Sequence, residues 1–537
     1  MSAHEQIDIG PGKFSRWMPV VGLLVMGAVG LERYLEDASF WVDESIVAES
    51  LRDMTLEEIF GPLGPGRNSF PRLYMAALLG FKNLFGYETV VLRALPFAFY
   101  LAATYLWLKL LSSRLRAFPA LIVLALFLCL LPTSWFAYAS MLKQYTFDVF
   151  LSILLFVIPD RFFDRALRHG KSPWLCLAFA LPCALSYTYA ISLAGRVAGW
   201  YAGGLAQRNY RLAPLGLVAL VAGVAISSLS LWLTDIRFMA NSVYGWWASC
   251  SVGHNWSATH LLLDKFAIGW YSGQQEFPID GGLPEALKIL LRIALLLGVL
   301  QVIRSLFGRP LRHLPGDWGS RSLGALFVVA ATLAASLFMQ YPVCSGRLTL
   351  FVLLPLQLLL FEGFVAFHAW LEDDRNLRGL SLSLGVLWVV SIAPFGVRDA
   401  YRFSETHAPD DLRPMLGRIR SQDELPVHVM PCMWGVVQAL PEGLPTPETV
   451  YVASAHQTPW GQEILILEKN PHPGISYCFD THKIFEKRAT DWQVLHTNSD
   501  PVRLFRASFP DKPPEPLRPP EESSPTPEQG LPAGESP

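Results

Sequence analysis

Two adjacent carboxylates, Asp43 and Glu44, follow the first long apolar segment of the chain, which runs from Trp17 to about Gly30. A carboxylate that faces an aqueous pocket beside a membrane can accept a proton from a hydroxyl group and act as a general base. Adjacent side chains in extended backbone point apart, so we expect Asp43 to face the pocket and Glu44 to orient it, to bind a substrate or to cap a helix. The alternative is that both acids cap the following helix, where the helix dipole favours anions.

Three cations are expected at the same membrane face as the acids. Lys143 lies at the outer mouth of the fourth apolar segment, Arg347 at the outer mouth of the tenth, and Arg93 near the outer end of the second. A charge in a membrane span is costly and by default faces a cavity or a partner, and both Arg and Lys bind phosphate well. The three residues therefore predict a phosphate site, and the alternative is that they extend to lipid headgroups.

Two further acids lie inside apolar segments, where a charge needs a partner. We expect Asp148, in the fourth segment, to pair with one of the three cations. Glu362 lies deeper in the tenth segment, and we expect it to have a structural partner.

Aromatic side chains are concentrated in the segment 234–282 and recur at the start of the fourth apolar segment. Trp246, Trp247 and Trp256 belong to the first group, and Tyr145 to the second. One interpretation is a belt of aromatic rings at the lipid headgroups. The other is a platform that contacts a sugar or an isoprenoid chain.

The composition indicates that lipid is the main solvent of this chain. Of its 537 residues, 52% are hydrophobic and 16% are charged, whereas soluble proteins average about 25% charged residues. The net charge of -2 gives no nucleic-acid signal. The seven Cys form no CxxC pair, and no carboxylate spacing around His254 and His260 suggests a metal triad, so we expect no zinc site or other metal centre.

Eleven apolar segments come close to the roughly 20 residues that a membrane span needs. We expect a cytoplasmic N-terminus, because the loops that would then lie inside carry clusters of Arg while the short outer links carry only Lys143 and Arg347. The first segment is interpreted as a retained span, since no clear cleavage signal ends it. The fifth and sixth segments could also form one broken helix. The predicted spans are 17–34, 88–111, 118–135, 142–158, 174–189, 190–206, 212–233, 283–303, 322–340, 347–370 and 379–396.

The span count divides the chain into four predicted parts. Residues 1–16 form a cytoplasmic N-terminus, 17–396 a transmembrane domain, 397–510 an extracytoplasmic α/β domain and 511–537 a disordered tail rich in Pro and Glu. The predicted fold class is therefore an α-helical polytopic membrane protein with a small C-terminal α/β domain.

Short elements are predicted in two of the outer regions. A rough apolar stripe over 45–60 is typical of a helix that lies in the membrane interface, and a second helical stretch covers 71–85 after a Gly/Pro break. The C-terminal domain shows alternating strand and helix patterns. Its predicted elements are a helix over 411–420, strands over 427–430, 450–453 and 475–479, and helical stretches near 434–440 and 462–469.

Several short motifs follow one another in a familiar order. One span is followed by Asp43-Glu44 and interfacial helices, then by Glu-Thr-Val-Val-Leu-Arg-Ala-Leu-Pro over 88–96, by Lys143-Gln144-Tyr145, and by Gly346-Arg347-Leu348. Over residues 15–400, this arrangement resembles the GT-C superfamily of integral-membrane glycosyltransferases. Within it, the chain is most similar to the bacterial family-39-like group, which is related to protein O-mannosyltransferases and aminoarabinose transferases.

The resemblance implies a fold of about eleven helices with a cavity open to lipid and to the extracytoplasmic space, in a multi-pass protein of the bacterial inner membrane. It implies a sugar linked to polyprenyl phosphate as donor and a lipid, polysaccharide or protein as acceptor. The sugar would transfer with inversion in one displacement. Carried over, Asp43 would be the base, Glu44 its support, and Lys143 and Arg347 the ligands of the donor phosphate, with Arg93 a further candidate for that task.

One departure from the family pattern concerns metal ions. Metal-dependent relatives carry further acids in the second outer loop, but here residues 136–142 contain none, and Asp148 is the only nearby carboxylate. We therefore expect no metal cofactor.

Two other functions compete with the transferase. A transporter or flippase of lipid-linked sugars would explain the spans and the outer cations, but it predicts internal repeats and discontinuous helices, and no clear repeat is present. A membrane-anchored binding or assembly protein would use the C-terminal domain and would leave the acid pair and the cations without a role.

Overall fold

The chain divides into two compact units, here the N-terminal unit (Met1–Ala408) and the C-terminal unit (Pro409–Pro537). Each has its own hydrophobic core. The computed structural model describes residues 13–35, 42–61, 70–114, 135, 138–169, 172–206, 212–238, 248, 251–254, 256, 259, 285–306, 318–343, 346–372, 412–422, 425–430, 433, 437–438, 440, 444, 446, 448–451, 459, 461–469, 485–496 and 502–511.

The described part of the N-terminal unit is almost entirely helical. Its α-helices are α1 (Lys13–Leu35), α2 (Val42–Asp53), α3 (Arg72–Phe85), α4 (Thr89–Arg114), α5 (Tyr145–Val157), α6 (Asp160–Phe163), α7 (Pro173–Ala180), α8 (Tyr189–Ala206), α9 (Pro214–Thr234), α10 (Glu285–Leu306), α11 (Trp318–Met339), α12 (Gly346–Thr349) and α13 (Leu353–Glu372). Shorter helical turns cover Glu58–Phe60, Asp164–Arg168, Leu181–Ala184, Ile236–Phe238 and Leu350–Val352.

Four described helical stretches are long and apolar enough to cross a membrane. They are Thr89–Ser112, Pro214–Thr234, Gly319–Met339 and Leu350–Phe367. The other predicted spans within the described residues coincide with α1, α5, α7, α8 and α10, some of them shorter than a full span. The predicted span 379–396, and all of 118–135 except Trp135, lie outside the described residues, so the count of eleven stays a prediction.

The predicted fifth and sixth spans are separated by a break. Helix α7 ends at Ala180, a 3-10 turn follows over Leu181–Ala184, and α8 begins at Tyr189. Pro182 lies in this turn and has no backbone N–H to continue the α-helical hydrogen bonds. The break places the polar residues Ser186 and Thr188 within the apolar bundle, where both are buried.

Glycines allow two pairs of helices to pack in close contact. A Cβ added to Gly199 of α8 would overlap the backbone of Gly324 in α11, and one added to Gly298 of α10 would overlap the backbone at Leu359 in α13. Small residues at such crossings let two backbones approach closely. These crossings join α8 to α11 and α10 to α13.

The acid pair lies on a helix, so the prediction of extended backbone there is wrong. Helix α2 begins at Val42 and includes both Asp43 and Glu44 in its first turn. Acidic side chains are favoured at this end of a helix by its dipole, and a buried partner holds Glu44 in place. Successive residues on a helix are rotated by about 100° about its axis, so Asp43 and Glu44 occupy different angular positions on α2.

The two helical stretches predicted over 45–60 and 71–85 are present, with changed bounds for the first. The helical stretch expected over 45–60 ends as α2 at Asp53 and resumes only as the turn Glu58–Phe60. Between them, the Glu58 carboxylate accepts hydrogen bonds from the Thr55 amide and hydroxyl, at 2.7 and 2.9 Å. The stretch expected over 71–85 is α3.

The described part of the C-terminal unit includes the helix α14 (Arg413–Arg420), a helical turn over 485–488 and a five-stranded mixed sheet. The strands are β1 (Val427–Val429), β2 (Thr449–Tyr451), β3 (Glu463–Lys469), β4 (Asp491–His496) and β5 (Val502–Ser508), in the order β2-β1-β3-β5-β4. Strand β1 pairs in parallel with β2 and β3, while β5 pairs antiparallel with β3 and β4.

The helix predicted near 462–469 is a strand, β3. Its sequence is rich in Glu and Leu, which favour helices, but Ile464, Leu465, Ile466 and Leu467 are all fully buried. A strand covered on both faces has such a continuous apolar run, and pairing with β1 and β5 satisfies its backbone. The prediction failed because the neighbours of this segment, not its local propensity, determine its structure. The predicted strand 475–479 lies outside the described residues.

Candidate active site around Glu44 and Lys143

Glu44 joins three separate parts of the N-terminal unit. Its carboxylate, on α2, forms two hydrogen bonds with the Arg93 guanidinium on α4, at 2.9 Å to Nη2 and 3.3 Å to Nε. It also accepts the amide N–H of Leu142 at 2.5 Å. Glu44 is only 2% exposed, and charge-assisted bonds in such a dry setting are short and strong. The ion pair therefore fixes α2 against α4 and against the segment that leads into α5.

The backbone of Asp43 is held close to that junction. Asp43 precedes Glu44 on α2, and Lys143 follows Leu142 in the chain. The predicted base and one predicted phosphate ligand are therefore sequence neighbours of two residues that share a hydrogen bond. The side chain of Asp43 lies outside the described part of the structure.

Lys143 is buried against the Phe70 ring. It is 5% exposed, and its ammonium lies 5.5 Å from the centroid of the Phe70 ring. The electron-rich face of an aromatic ring attracts a cation at this distance. Phe70 directly precedes Pro71 at the start of α3, so the segment that leads into α3 covers part of the Lys143 side chain.

A buried ion pair, which the sequence analysis missed, lies beside Lys143. Arg72 Nη2 is 3.0 Å from Asp235 Oδ1, and both side chains are 1% exposed. Arg72 Nε also donates to the Thr234 carbonyl at 3.0 Å, and the Phe70 amide donates to Asp235 Oδ1 at 3.2 Å. Two features of the sequence could have revealed the pair. Asp235 follows the apolar run of α9 directly, and Arg72 follows Pro71 at the start of α3; a charge at such a position needs a partner.

Neighbouring groups oppose the effect of burial on the pKa of Asp235. Burial raises the pKa of Asp235 to about 7, while the Arg72 guanidinium, the Phe70 amide and the Lys143 ammonium each favour the ionised form and oppose this rise. Lys143 and Asp235 therefore belong to one electrostatic cluster, although they lie in different segments of the chain.

The two acids that lie within apolar segments, Asp148 and Glu362, have hydroxyl partners. Asp148, on α5, accepts a hydrogen bond from the Ser186 hydroxyl at 2.5 Å, so its described partner comes from the break between α7 and α8 and is not one of the predicted cations. Glu362 accepts from the Ser322 hydroxyl at 2.9 Å, which confirms the expected structural partner.

The aromatic candidates and the second phosphate candidate are only partly described. Tyr145 is buried in the first turn of α5, with its ring edge against Tyr138 at a centroid distance of 5.2 Å. Trp256 is 69% exposed. Arg347 lies on α12, with its side chain outside the described part of the structure. Trp246 and Trp247 lie outside the described residues.

Metal ligands do not converge among the described residues. No group of three or more His, Cys, Asp and Glu side chains in that part of the chain is arranged to hold a metal ion. The absence of a metal cofactor stays a prediction.

A narrow cavity lies about one to two turns along α5 from Tyr145. Its walls are nearly all apolar and come from α1, α4, α5, α13 and Trp135. Such a lining suits hydrocarbon and offers little to a charged group. The lining residues are Met26, Ala103, Thr104, Trp107, Trp135, Val149, Ile153, Leu353, Leu354 and Gln357.

No protein-family model and no curated protein matches the chain. Among solved structures, it is similar to the crystal structure of ArnT from Cupriavidus metallidurans in the apo state, with 12% identity, 92% of this chain and 98% of that chain covered, and a TM-score of 0.47. It is also similar to the same protein bound to undecaprenyl phosphate, with 12% identity, coverage of 91% and 97%, and a TM-score of 0.44. ArnT is an aminoarabinose transferase of the GT-C superfamily, the group that the sequence motifs resemble. Both TM-scores lie below 0.5, so the function proposed next rests on the contacts within this chain.

Proposed function

We propose that this chain is an integral-membrane glycosyltransferase, which moves a sugar from a polyprenyl-phosphate donor to a hydroxyl acceptor on the extracytoplasmic side of the membrane. The observation that carries the proposal is the junction at Glu44. Its bonds to Arg93 and to the Leu142 amide bring the backbone beside an acid, Asp43, towards the backbone beside a buried cation, Lys143. A base and a phosphate ligand within one site are what transfer from a phosphate-linked sugar requires.

In the proposed reaction, the acceptor oxygen attacks the anomeric carbon of the donor sugar while the bond from that carbon to the phosphate oxygen breaks. The hydroxyl proton passes to the Asp43 carboxylate, and polyprenyl phosphate leaves. An aliphatic hydroxyl is far less acidic than a carboxylic acid, so Asp43 takes the proton late, as the glycosidic bond breaks. A single displacement inverts the configuration at the anomeric carbon.

The leaving phosphate gains negative charge as its bond to the sugar breaks. Lys143 and Arg347 stabilise that charge, one as a point charge and the other through paired N–H groups. Arg93 makes a bidentate contact with Glu44. We therefore propose that Arg93 orients Glu44 and α2, and that Lys143 and Arg347 bind the phosphate. No step in this scheme requires a metal ion.

The prenyl chain and the phosphate of the donor occupy different parts of the proposed site. The long apolar helical stretches supply surfaces for the prenyl chain, while Lys143 lies two residues before the start of α5. Docking of the lipid is thereby separated from the chemistry at its phosphate.

The proposal is tested in proteoliposomes that contain the purified full chain and the pool of polyprenyl-phosphate sugars extracted from the source cells. We expect the wild-type protein to release polyprenyl phosphate and to form a new glycoside with extracted envelope acceptors. Asp43→Asn should abolish release while retaining binding of undecaprenyl phosphate, because the amide cannot take the proton. Glu49→Gln, which changes another carboxylate of α2, is the matched control and should remain active.

Two results would contradict the transferase. Full turnover by Asp43→Asn would remove Asp43 as the base. Movement of intact lipid-linked sugar between leaflets, with no sugar released to an acceptor, would indicate the transporter or flippase instead.

A further inference from the structure

The Arg72–Asp235 pair connects α3 to the end of α9 and contacts the backbone amide of Phe70. The two side chains meet at 3.0 Å with 1% of each exposed. The same Asp235 oxygen accepts the Phe70 amide at 3.2 Å. The Phe70 ring in turn lies 5.5 Å from the Lys143 ammonium. A chain of contacts therefore leads from Arg72 through Asp235 and Phe70 to Lys143.

This pair is poorly built for stability alone. Arg72 Nη1 and Asp235 Oδ2 are buried and lack a hydrogen-bond partner within the described part of the chain. A buried ion pair must recover the cost of desolvation through complete hydrogen bonding, and apolar residues of similar volume often stabilise as well or better. Two charges kept in this position with unfilled hydrogen-bonding capacity indicate a role other than packing.

Asp235 also acts on Lys143 through its charge. The two groups interact electrostatically, and Lys143 is 5% exposed, so little water screens the interaction. The Phe70 ring lies 5.5 Å from the ammonium, and the carboxylate attracts the same ammonium. Arg72 keeps the carboxylate in place and compensates part of its charge.

We infer that Arg72 and Asp235 are positioning residues, which hold Phe70 and thereby place the Lys143 ammonium for the phosphate of the lipid-linked donor. The inference rests on the proposed function of Lys143. Neither residue of the pair touches the donor in this scheme. Their effect on donor binding therefore depends on the presence of Lys143.

A double-mutant cycle tests this dependence. The dissociation constant of undecaprenyl phosphate is measured in nanodiscs for the wild-type full chain, Asp235→Asn, Lys143→Ala and the double variant. Asp235→Asn keeps the shape of the side chain and an oxygen for the Phe70 amide but removes the charge. We expect each single variant to weaken binding about tenfold or more, and the double variant to bind within about twofold of Lys143→Ala, since residues in one network are not additive.

Other outcomes have fixed meanings. Unchanged affinity in Asp235→Asn, or losses that multiply in the double variant, would overturn the inference. Equal affinity of the wild type and Lys143→Ala would instead overturn the proposed role of Lys143, whatever Asp235 does. If Asp235→Asn does not fold, Phe70→Leu takes its place in the same cycle, since it removes the ring and retains an apolar side chain, with the same expected and contradicting results.

A matched control separates positioning from general stability. Asp160→Asn breaks another Arg–Asp pair, in which Arg196 is buried and Asp160 is partly buried, at the opposite end of α5, about 20 Å away for a helix of this length. We expect it to lower the unfolding temperature and leave the dissociation constant of undecaprenyl phosphate unchanged. Arg72→Lys should retain more affinity than Arg72→Met, because it keeps the charge; the reverse order would contradict the inference.

Discussion

The carboxylate of Glu44 and the guanidinium of Arg93 form a buried bidentate pair, with hydrogen bonds of 2.9 and 3.3 Å. The pair holds α2, which carries Asp43, against α4. Because both side chains are desolvated, removing one charge leaves the other unpaired, at a cost of about 3–5 kcal/mol. We therefore expect Glu44→Gln to lower the unfolding temperature in detergent and to reduce sugar transfer, because α2 loses its fixed orientation.

Its control is a double variant, Glu44→Gln with Arg93→Met. This protein should recover most of the lost stability, since no unpaired charge remains and the introduced amide oxygen can still accept the Leu142 N–H. An unchanged unfolding temperature in Glu44→Gln alone would contradict the structural role of the pair.

Arg347 is expected to bind the donor phosphate directly. Hydrogen bonds to charged groups contribute about 1.5–3 kcal/mol, so Arg347→Ala should weaken the binding of undecaprenyl phosphate by roughly 10- to 100-fold. Arg347→Lys should recover part of the affinity, because a point charge remains but the paired donors are lost. Titration of the lipid against purified protein in nanodiscs measures both values.

Arg52→Ala is the control for this experiment. Arg52 forms a solvent-exposed pair with Asp53, and such pairs contribute at most about 1 kcal/mol to folding stability, so this variant should fold normally and bind the lipid as the wild type does. An Arg347→Ala protein that binds as tightly as Arg52→Ala would remove Arg347 from the phosphate site.

Turnover is expected to continue after metal removal. The proposed chemistry uses Asp43, Lys143 and Arg347 and includes no step that needs a cation. Treatment of the purified protein with a strong chelator, followed by dialysis, should therefore leave the rate of sugar transfer unchanged. If the rate falls and is restored by added Mg²⁺, Mn²⁺ or Ca²⁺, the prediction of a metal-independent enzyme is wrong.

The stability of the C-terminal unit is expected to fall in mild acid. His428 lies on β1 with 4% of its surface exposed, and burial lowers its pKa to about 4. Between its unfolded pKa, about 6.5, and pH 4, the unfolded chain binds a proton at this site that the folded chain does not. The free energy of unfolding should therefore decrease by about 3 kcal/mol as the pH falls through this window.

Hydrogen exchange of β3, followed by mass spectrometry on the full chain, measures this change without isolating the unit. Protection of β3 should decline from pH 6.5 to pH 4 after correction for the intrinsic exchange rate. His428→Leu should remove this part of the pH dependence, since it cannot be protonated. Equal pH dependence in both proteins would show that other groups are responsible.

Much of the helical framework follows from local composition. The long apolar runs of α4, α9, α11 and α13 predict helices wherever they occur, because in lipid a backbone must satisfy its own hydrogen bonds. Helix α3 could be located from a Gly/Pro break followed by a helical pattern. The Asp43–Glu44 pair and Lys143 could be identified as candidate site residues, because a charge beside an apolar segment is costly unless it has a partner or a function.

The pairing of these charges could not be predicted, since it depends on which segments pack together. Glu44 and Leu142 lie 98 residues apart in sequence, and Phe70 and Asp235 lie 165 apart. The same limit explains β3, whose Leu- and Glu-rich sequence favours a helix until β1 and β5 cover it. The sequence by itself determined which segments are apolar and which charges are costly there. Only the tertiary structure decided how those costs are met, because a buried charge is stabilised by whichever partner the fold brings to it.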